Sequence, residues 1–213
     1  VRSRKDTVFE IEVSMEEITP RIWRRLQVPA TYSFWDLHVA IQDAMGWLDC
    51  HLHEFLVPIT PGSESLSIGI PDEDRFEGDP EILPGWEIPI ARYLTPKRNT
   101  IAYVYDFGDD WHHRVVLQRS LPRQTDTSYP LCVAGERKCP PEDVGGPPGY
   151  EMFLEAIADP RHEEHESYLT WVGGSYDPEA FAPEAVRFWD PAKRWRIAFL
   201  GEEDDESEGE ARP

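Results

Sequence analysis

Phe9-Glu10-Ile11-Glu12-Val13, then Trp23-Arg24-Arg25-Leu26-Gln27-Val28, then Ser33-Phe34-Trp35-Asp36-Leu37-His38-Val39-Ala40-Ile41-Gln42-Asp43-Ala44-Met45 decide the fold class. In the first run apolar and acidic residues alternate, so Phe9, Ile11 and Val13 share one face of a strand and Glu10 and Glu12 the other. The second run, Ile22 to Val28, predicts a partner strand joined to the first across Ser14 to Arg21. In the third, Ser33 and Asp36 have the spacing of a capping box, and Phe34, Leu37, Ile41, Ala44 or Met45, and Leu48 recur at helical steps. Two strands and one amphipathic helix open the chain.

Further along, a strand is expected at Leu52 to Val57, and a hairpin at Thr100–Asp106 and Trp111–Arg119 around Phe107-Gly108-Asp109-Asp110. Prolines and glycines between Leu121 and Pro148 predict a wrapped loop. Gly149 to Ala158 carries apolar residues at helical spacing, a short helix is expected after Pro160, and Asp177-Pro178-Glu179 has the residues that open another. The order β-β-α-β, long loop, β-β, then helices does not alternate strand with helix. It predicts an α+β fold, a mostly antiparallel or mixed sheet crossed by one long helix with C-terminal helices, which resembles a β-grasp roll.

The 213 residues carry 21 Lys and Arg against 41 Asp and Glu, a net charge of −20. Much of that charge is local. Pro61 to Ile90 contributes −7 and five prolines, predicting a long acidic surface loop, and residues 202–213 contribute −6, predicting a disordered tail. A single domain over 7–189 is expected. The excess of acid argues against a phosphate-tracking surface, so a protein or small-molecule ligand is the expected partner in preference to nucleic acid. Local basic stretches do occur, at Arg2–Lys5, Arg21–Arg25 and Lys193–Arg196. No uncharged apolar run is long enough to span a membrane, the first residues lack the apolar core of a secretory signal, and three cysteines make no disulfide framework. A cytoplasmic location is the expectation.

Pro20-Arg21-Ile22-Trp23-Arg24-Arg25, Val28-Pro29, Ala44-Met45-Gly46-Trp47 and His51-Leu52-His53-Glu54-Phe55 appear in order. Tyr103 to Asp109 with Trp111 and His113, Tyr129-Pro130, Cys132, Pro140 to Gly146 and Gly149-Tyr150 follow. With these motifs the chain resembles the plasmid pRiA4b ORF-3-like family over roughly residues 7–189. Members are mostly uncharacterised, and some are named as transposon passenger proteins with a resolvase-like label. The resemblance implies no activity, and nothing marks Ser14, Ser33 or Ser120 as the activated nucleophile of a serine recombinase.

Six of seven histidines fall in three pairs: His51 with His53, His112 with His113, and His162 with His165. On one strand, His51 and His53 would share a face, and with Asp106, Asp109 or Asp110 and His113 from the hairpin they form a set suited to a divalent transition metal such as zinc, manganese or iron. The alternative is structural: the same histidines hydrogen-bond buried carboxylates or backbone and lock two strands together. Glu142 and Asp143, between rigid prolines and flexible glycines, would bind a cation or cationic partner, or clamp Arg24 and Arg25. His162 and His165 read as a solvated polar face, and His38 and Gln42 as an exposed stripe or the lining of a groove. Trp111 is expected in the core beside the cleft. Two functions follow: a non-enzymatic binding or accessory module with a cleft between the hairpin, the His51 strand and the Pro140–Gly146 loop, and a metal-dependent hydrolase using the His/Asp cluster with Glu142 or Asp143 as base.

Overall fold

In a computed structural model the chain is described over residues 3–59, 65–71 and 81–202. The fold is α+β. Strands β1 (Thr7–Met15), β2 (Trp23–Pro29), β3 (His53–Pro58), β4 (Ser65–Gly69), β5 (Ile82–Pro84), β6 (Thr100–Tyr105), β7 (Trp111–Pro122) and β8 (Leu131–Glu136) form one mixed sheet in the order β5-β4-β3-β6-β7-β1-β2-β8. All pairs are antiparallel except β4 with β5. Helices α1 (Phe34–Met45), α2 (Gly146–Ala158), α3 (His165–Trp171) and α4 (Pro191–Leu200) complete it.

The opening run behaves as its pattern requires. Phe9, Ile11 and Val13 are buried, and β1 pairs with β2 from Val8↔Pro29 to Ser14↔Trp23. On the opposite face Glu10 pairs with Arg119 and accepts from the Gln27 amide, and Glu12 pairs with Arg25 and with Arg21 just before β2, so that face is held by ion pairs and an amide hydrogen bond. Helix α1 starts at a complete capping box, with Asp36 N–H on Ser33 Oγ at 3.1 Å and Ser33 N–H on Asp36 Oδ2 at 2.8 Å. Its Phe34, Leu37, Ile41 and Met45 pack in the same buried core as Phe55, Tyr103, Trp111 and Val115 of the sheet. Each such side chain contributes about 1.5–3 kcal/mol of hydrophobic stabilisation.

Four local expectations differ from the fold. β4 and β5 lie inside the stretch read as one long loop; both belong to the β5-β4 edge, where short, proline-flanked strands are tolerated. β8 lies inside the stretch read as a wrapped loop, pairs with β2, and has Gly135 where a Cβ would come 2.4 Å from the Phe181 ring. Asp177-Pro178-Glu179 makes only a turn, whereas the same Asp-Pro signal at Asp190-Pro191 caps α4, with Ala192 N–H on Asp190 Oδ1 at 2.9 Å. Helix α2 begins three residues before Gly149, because prolines in a first turn sacrifice no intrahelical bond. Residues 203–213 of the acidic tail lie outside the described residues.

Candidate functional site

Three turns meet at one end of the sheet. The first, Asp49-Cys50-His51, leads into β3; the second, Asp106 to Asp110, joins β6 to β7; the third, Pro140 to Gly146, leads into α2. They are pinned together. Gly145 N–H donates to Asp109 Oδ2 at 3.0 Å, and Gly146, at φ +68°, lies so close that a Cβ would sit 2.4 Å from the Asp109 carbonyl oxygen. Leu48 N–H donates to Glu142 Oε1 at 2.8 Å, the Tyr105 hydroxyl donates to the same carboxylate, and Cys50 N–H donates to the Tyr105 oxygen at 3.2 Å.

At the meeting point His51 Nε2 lies 3.0 Å from Asp143 Oδ1 and 3.6 Å from Asp106 Oδ2. Asp106 is nine-tenths buried, and its Oδ1 is already held by the N–H groups of Gly108 and Asp109. Asp143 is largely exposed. His51 Nε2 is itself buried, yet it has no hydrogen-bond partner among the described residues. The Asp143 oxygen therefore stands at hydrogen-bond distance but off the direction in which the ring nitrogen bonds. Burial pushes the neighbouring Glu142 carboxyl above its usual range, against the pull of the Leu48, Tyr105 and His51 contacts. Burial and the Glu142 and Asp49 carboxylates likewise push the Cys50 thiol up.

The structure brings only part of the expected metal set together. His51 precedes β3 in a bend and turns toward Asp106 and Asp143, whereas His53 enters the core on the strand. Among the described residues, no group of converging ligand atoms contains both His51 and His53, and none contains Asp109 or His113. Asp109 is used as the acceptor for Gly145. His113 is fully buried, with Nδ1 on the Trp111 carbonyl at 3.1 Å, and burial lowers its pKa to about 4. Trp111 is core, packed near Trp47.

The arginine clamp does not form. Arg24, on the buried face of β2, donates to the carbonyls of Ala44, Trp23 and Glu136 and stacks on Phe181 at 3.7 Å, while Arg25 pairs with Glu12. Glu142 and Asp143 face Tyr105 and His51 instead. His165, read as solvated, is buried with Nδ1 on the Ala156 carbonyl. All three cysteines are free.

Sequence reasoning also misplaced His38 and Gln42. Both are buried on α1. Gln42 donates to the Tyr103 hydroxyl at 2.9 Å, so that hydroxyl gives its proton to His38 Nδ1, and His38 Nε2–H donates to Asp49 Oδ1 at 2.8 Å. His38, Asp49 and His53 form a second group of converging polar atoms. It is unsuited to an ion. The His38 and His53 rings are stacked at 3.4 Å and 7°, so their in-plane lone pairs run side by side instead of meeting. The only sequence signal for this buried network was helical spacing, which places His38, Ile41 and Met45 on one face.

A groove of about 330 Å³ includes Leu56, Ala102 and Arg114 in its lining, and one of about 620 Å³ is lined by Trp35, Asp36, Trp86 and Trp195 between α1 and α4. Neither contains the His51 centre. Among the described residues no helix is long and apolar enough to cross a membrane.

A family model described as plasmid pRiA4b ORF-3-like protein matches residues 7–185. The uncharacterised protein y4hQ of Sinorhizobium fredii is 37% identical over 175 residues, covering 82% of this chain and 86% of its own. The crystal structure of MM3350 from Methanosarcina mazei Go1, a protein of unknown function, is similar with a TM-score of 0.77 and 43% identity, over 85% of this chain and 98% of that one.

Proposed function

The chain belongs to the plasmid pRiA4b ORF-3-like family, and from that premise we propose that it is a non-enzymatic accessory module, cytoplasmic, that binds a cationic ligand at the junction of its three turns. One observation carries this reading: four of the six non-glycine residues with positive φ among those described, Asp49, Asp106, Asp110 and Asp143, lie in these turns. Backbone held in the left-handed region costs free energy, and it persists where the surrounding contacts enforce it, which is common at binding sites. Here two of the enforced residues, Asp106 and Asp143, present carboxylates toward His51.

Charge supports the same ligand class. The Arg21–Arg25 stretch is consumed by Glu12 and by core carbonyls, and in the Lys193–Arg196 stretch Arg194 meets Asp49 and Arg196 meets Glu202. With those cations paired and a net charge of −20, nucleic acid is not the proposed partner. The hydrolase arrangement of His51, His53, Asp109 and His113 has no converging group to support it.

The test is an NMR titration of the full chain with a short arginine-rich peptide, with chelator present and duplex DNA as control. Saturable shifts in the amides of residues 49–51, 106–110 and 142–146, weakened about tenfold in Asp106→Asn with Asp143→Asn, are expected. Shifts confined to other surfaces, or none, would overturn the reading.

A further inference from the structure

We propose that His51, Asp106 and Asp143 chelate one divalent transition-metal ion through Nε2 and one carboxylate oxygen each. This rests on the junction being the binding site and names its occupant. Two ligand atoms bonded to one ion at about 2.1 Å are separated by about 3.0 Å at a right angle and about 3.4 Å at the tetrahedral angle. The Nε2 separations, 3.0 Å to Asp143 and 3.6 Å to Asp106, bracket these values, and the ligand atoms of the group all lie within 4.8 Å of one another.

The second observation is the buried Nε2 that bonds to nothing. A nitrogen 3.0 Å from a carboxylate oxygen normally donates to it. Here the oxygen stands off that axis, which is where a neighbouring ligand on a shared ion sits, because the nitrogen lone pair points at the ion and the second ligand lies to one side of that line. Leaving a buried polar atom unpaired costs about 1–3 kcal/mol, and a bond to an ion removes that cost.

The donor set selects the class of ion. One imidazole with two carboxylates suits zinc, manganese or iron(II), whereas calcium and magnesium take oxygen ligands throughout. The surroundings hold the ligands in place: the N–H groups of Gly108 and Asp109 fix Asp106, and the Asp109–Gly145 bond fixes the distance between the Asp106 and Asp143 turns. Such outer contacts orient ligands in metal sites. Glu142 lies beside the group, but its carboxylate is engaged by Leu48 N–H and the Tyr105 hydroxyl, so it is not assigned as a ligand. The two carboxylates balance the charge of a divalent ion. Asp143, the most exposed of the three, leaves the site open to solvent on one side.

The experiment is calorimetric titration of the metal-stripped full chain with Zn2+ and Mn2+, with Mg2+ as control, supported by the visible spectrum of the Co2+ form. One saturable site is expected for the transition ions, with affinity reduced at least about tenfold in His51→Ala and in Asp143→Asn. Asp143→Asn keeps a residue that tolerates positive φ at an exposed position, so it remains informative if His51→Ala fails to fold. Circular dichroism establishes that each variant is folded. If no transition ion binds at one site, or if binding is unchanged in both folded variants, the metal assignment is wrong. Should the arginine-rich peptide then still bind through Asp106 and Asp143, the cationic-ligand reading survives. If neither metal nor peptide binds, both fall.

Discussion

The imidazole of His38 lies flat on that of His53, ring centroids 3.4 Å apart and planes 7° from parallel, inside the core between α1 and β3. Two stacked rings in a low-dielectric interior cannot both carry a positive charge. Burial, reinforced by His38, holds the His53 pKa well below 6.5. The pair is therefore a packing element, and it separates the structural histidines of this chain from His51.

A pH dependence follows from His53. Its unfolded imidazole takes up a proton near pH 6.5 and the folded one does not, so its contribution to stability is complete above that pH and declines as pH falls below it. His53→Phe keeps an aromatic ring on His38 without the titrating group. Between pH 7 and pH 5 the wild type should lose about 1–2 kcal/mol more than the variant in urea unfolding. A difference that does not change with pH would refute this.

Asp43 acts in the opposite sense. Burial raises its carboxyl to about 6 although Trp189 N–H donates to Oδ2 at 2.9 Å. A raised carboxyl stabilises the fold fully below the unfolded value of 3.8, and that contribution is lost as pH rises through about 6. Asp43→Asn retains an acceptor for Trp189 and removes the charge. Discounting for partial solvent screening, it should add about 1–2 kcal/mol at pH 8 and nothing at pH 4.

Arg24 is a charge in the core with carbonyl partners. Its planar guanidinium makes three hydrogen bonds to the backbone carbonyls of α1, β2 and β8 while lying on Phe181. Lysine cannot reproduce that fork. Arg24→Lys should cost about 2–4 kcal/mol by denaturant midpoint at constant slope; a loss below about 0.5 kcal/mol would mean the carbonyls find other donors.

Helix α4 has no fully buried residue and is tethered by Arg194 on Asp49 and the Leu48 carbonyl, by Trp35 Nε1–H on the Pro191 carbonyl, and by Trp195 and Phe199 against Trp35 and Trp86. Such an element opens below the global unfolding free energy. Arg194→Ala should speed hydrogen exchange of residues 191–200 about tenfold while leaving β1 and β7 protected. Equal acceleration in the central strands would show that α4 is part of the main cooperative unit.

The sheet's inner strands and α1 were legible because their apolar spacing is local: Phe9, Ile11 and Val13 bury wherever the strand pairs, and Ser33 with Asp36 caps wherever the helix starts. β4, β5 and β8 were not legible. They lie in stretches whose prolines and glycines resemble loop composition, and only pairing, of β4 with β3 and β5 and of β8 with β2, makes them strands. The histidines split the same way. Sequence spacing put His51 and His53 together, but the bend before β3 sends one to a surface junction and the other into a stack with His38.

Alternation, helical spacing, caps and turn residues, all properties of neighbouring residues, determined the α+β class, the capped helix and two of the three polar turns, at Phe107–Asp110 and Pro140–Gly146. Which carboxylate meets which imidazole was decided by the tertiary structure alone. His51, Asp106 and Asp143 are separated by 55 and 37 positions in the chain. Their approach depends on β3 pairing with β6 and on the Asp109–Gly145 bond, contacts that exist only once the sheet has closed.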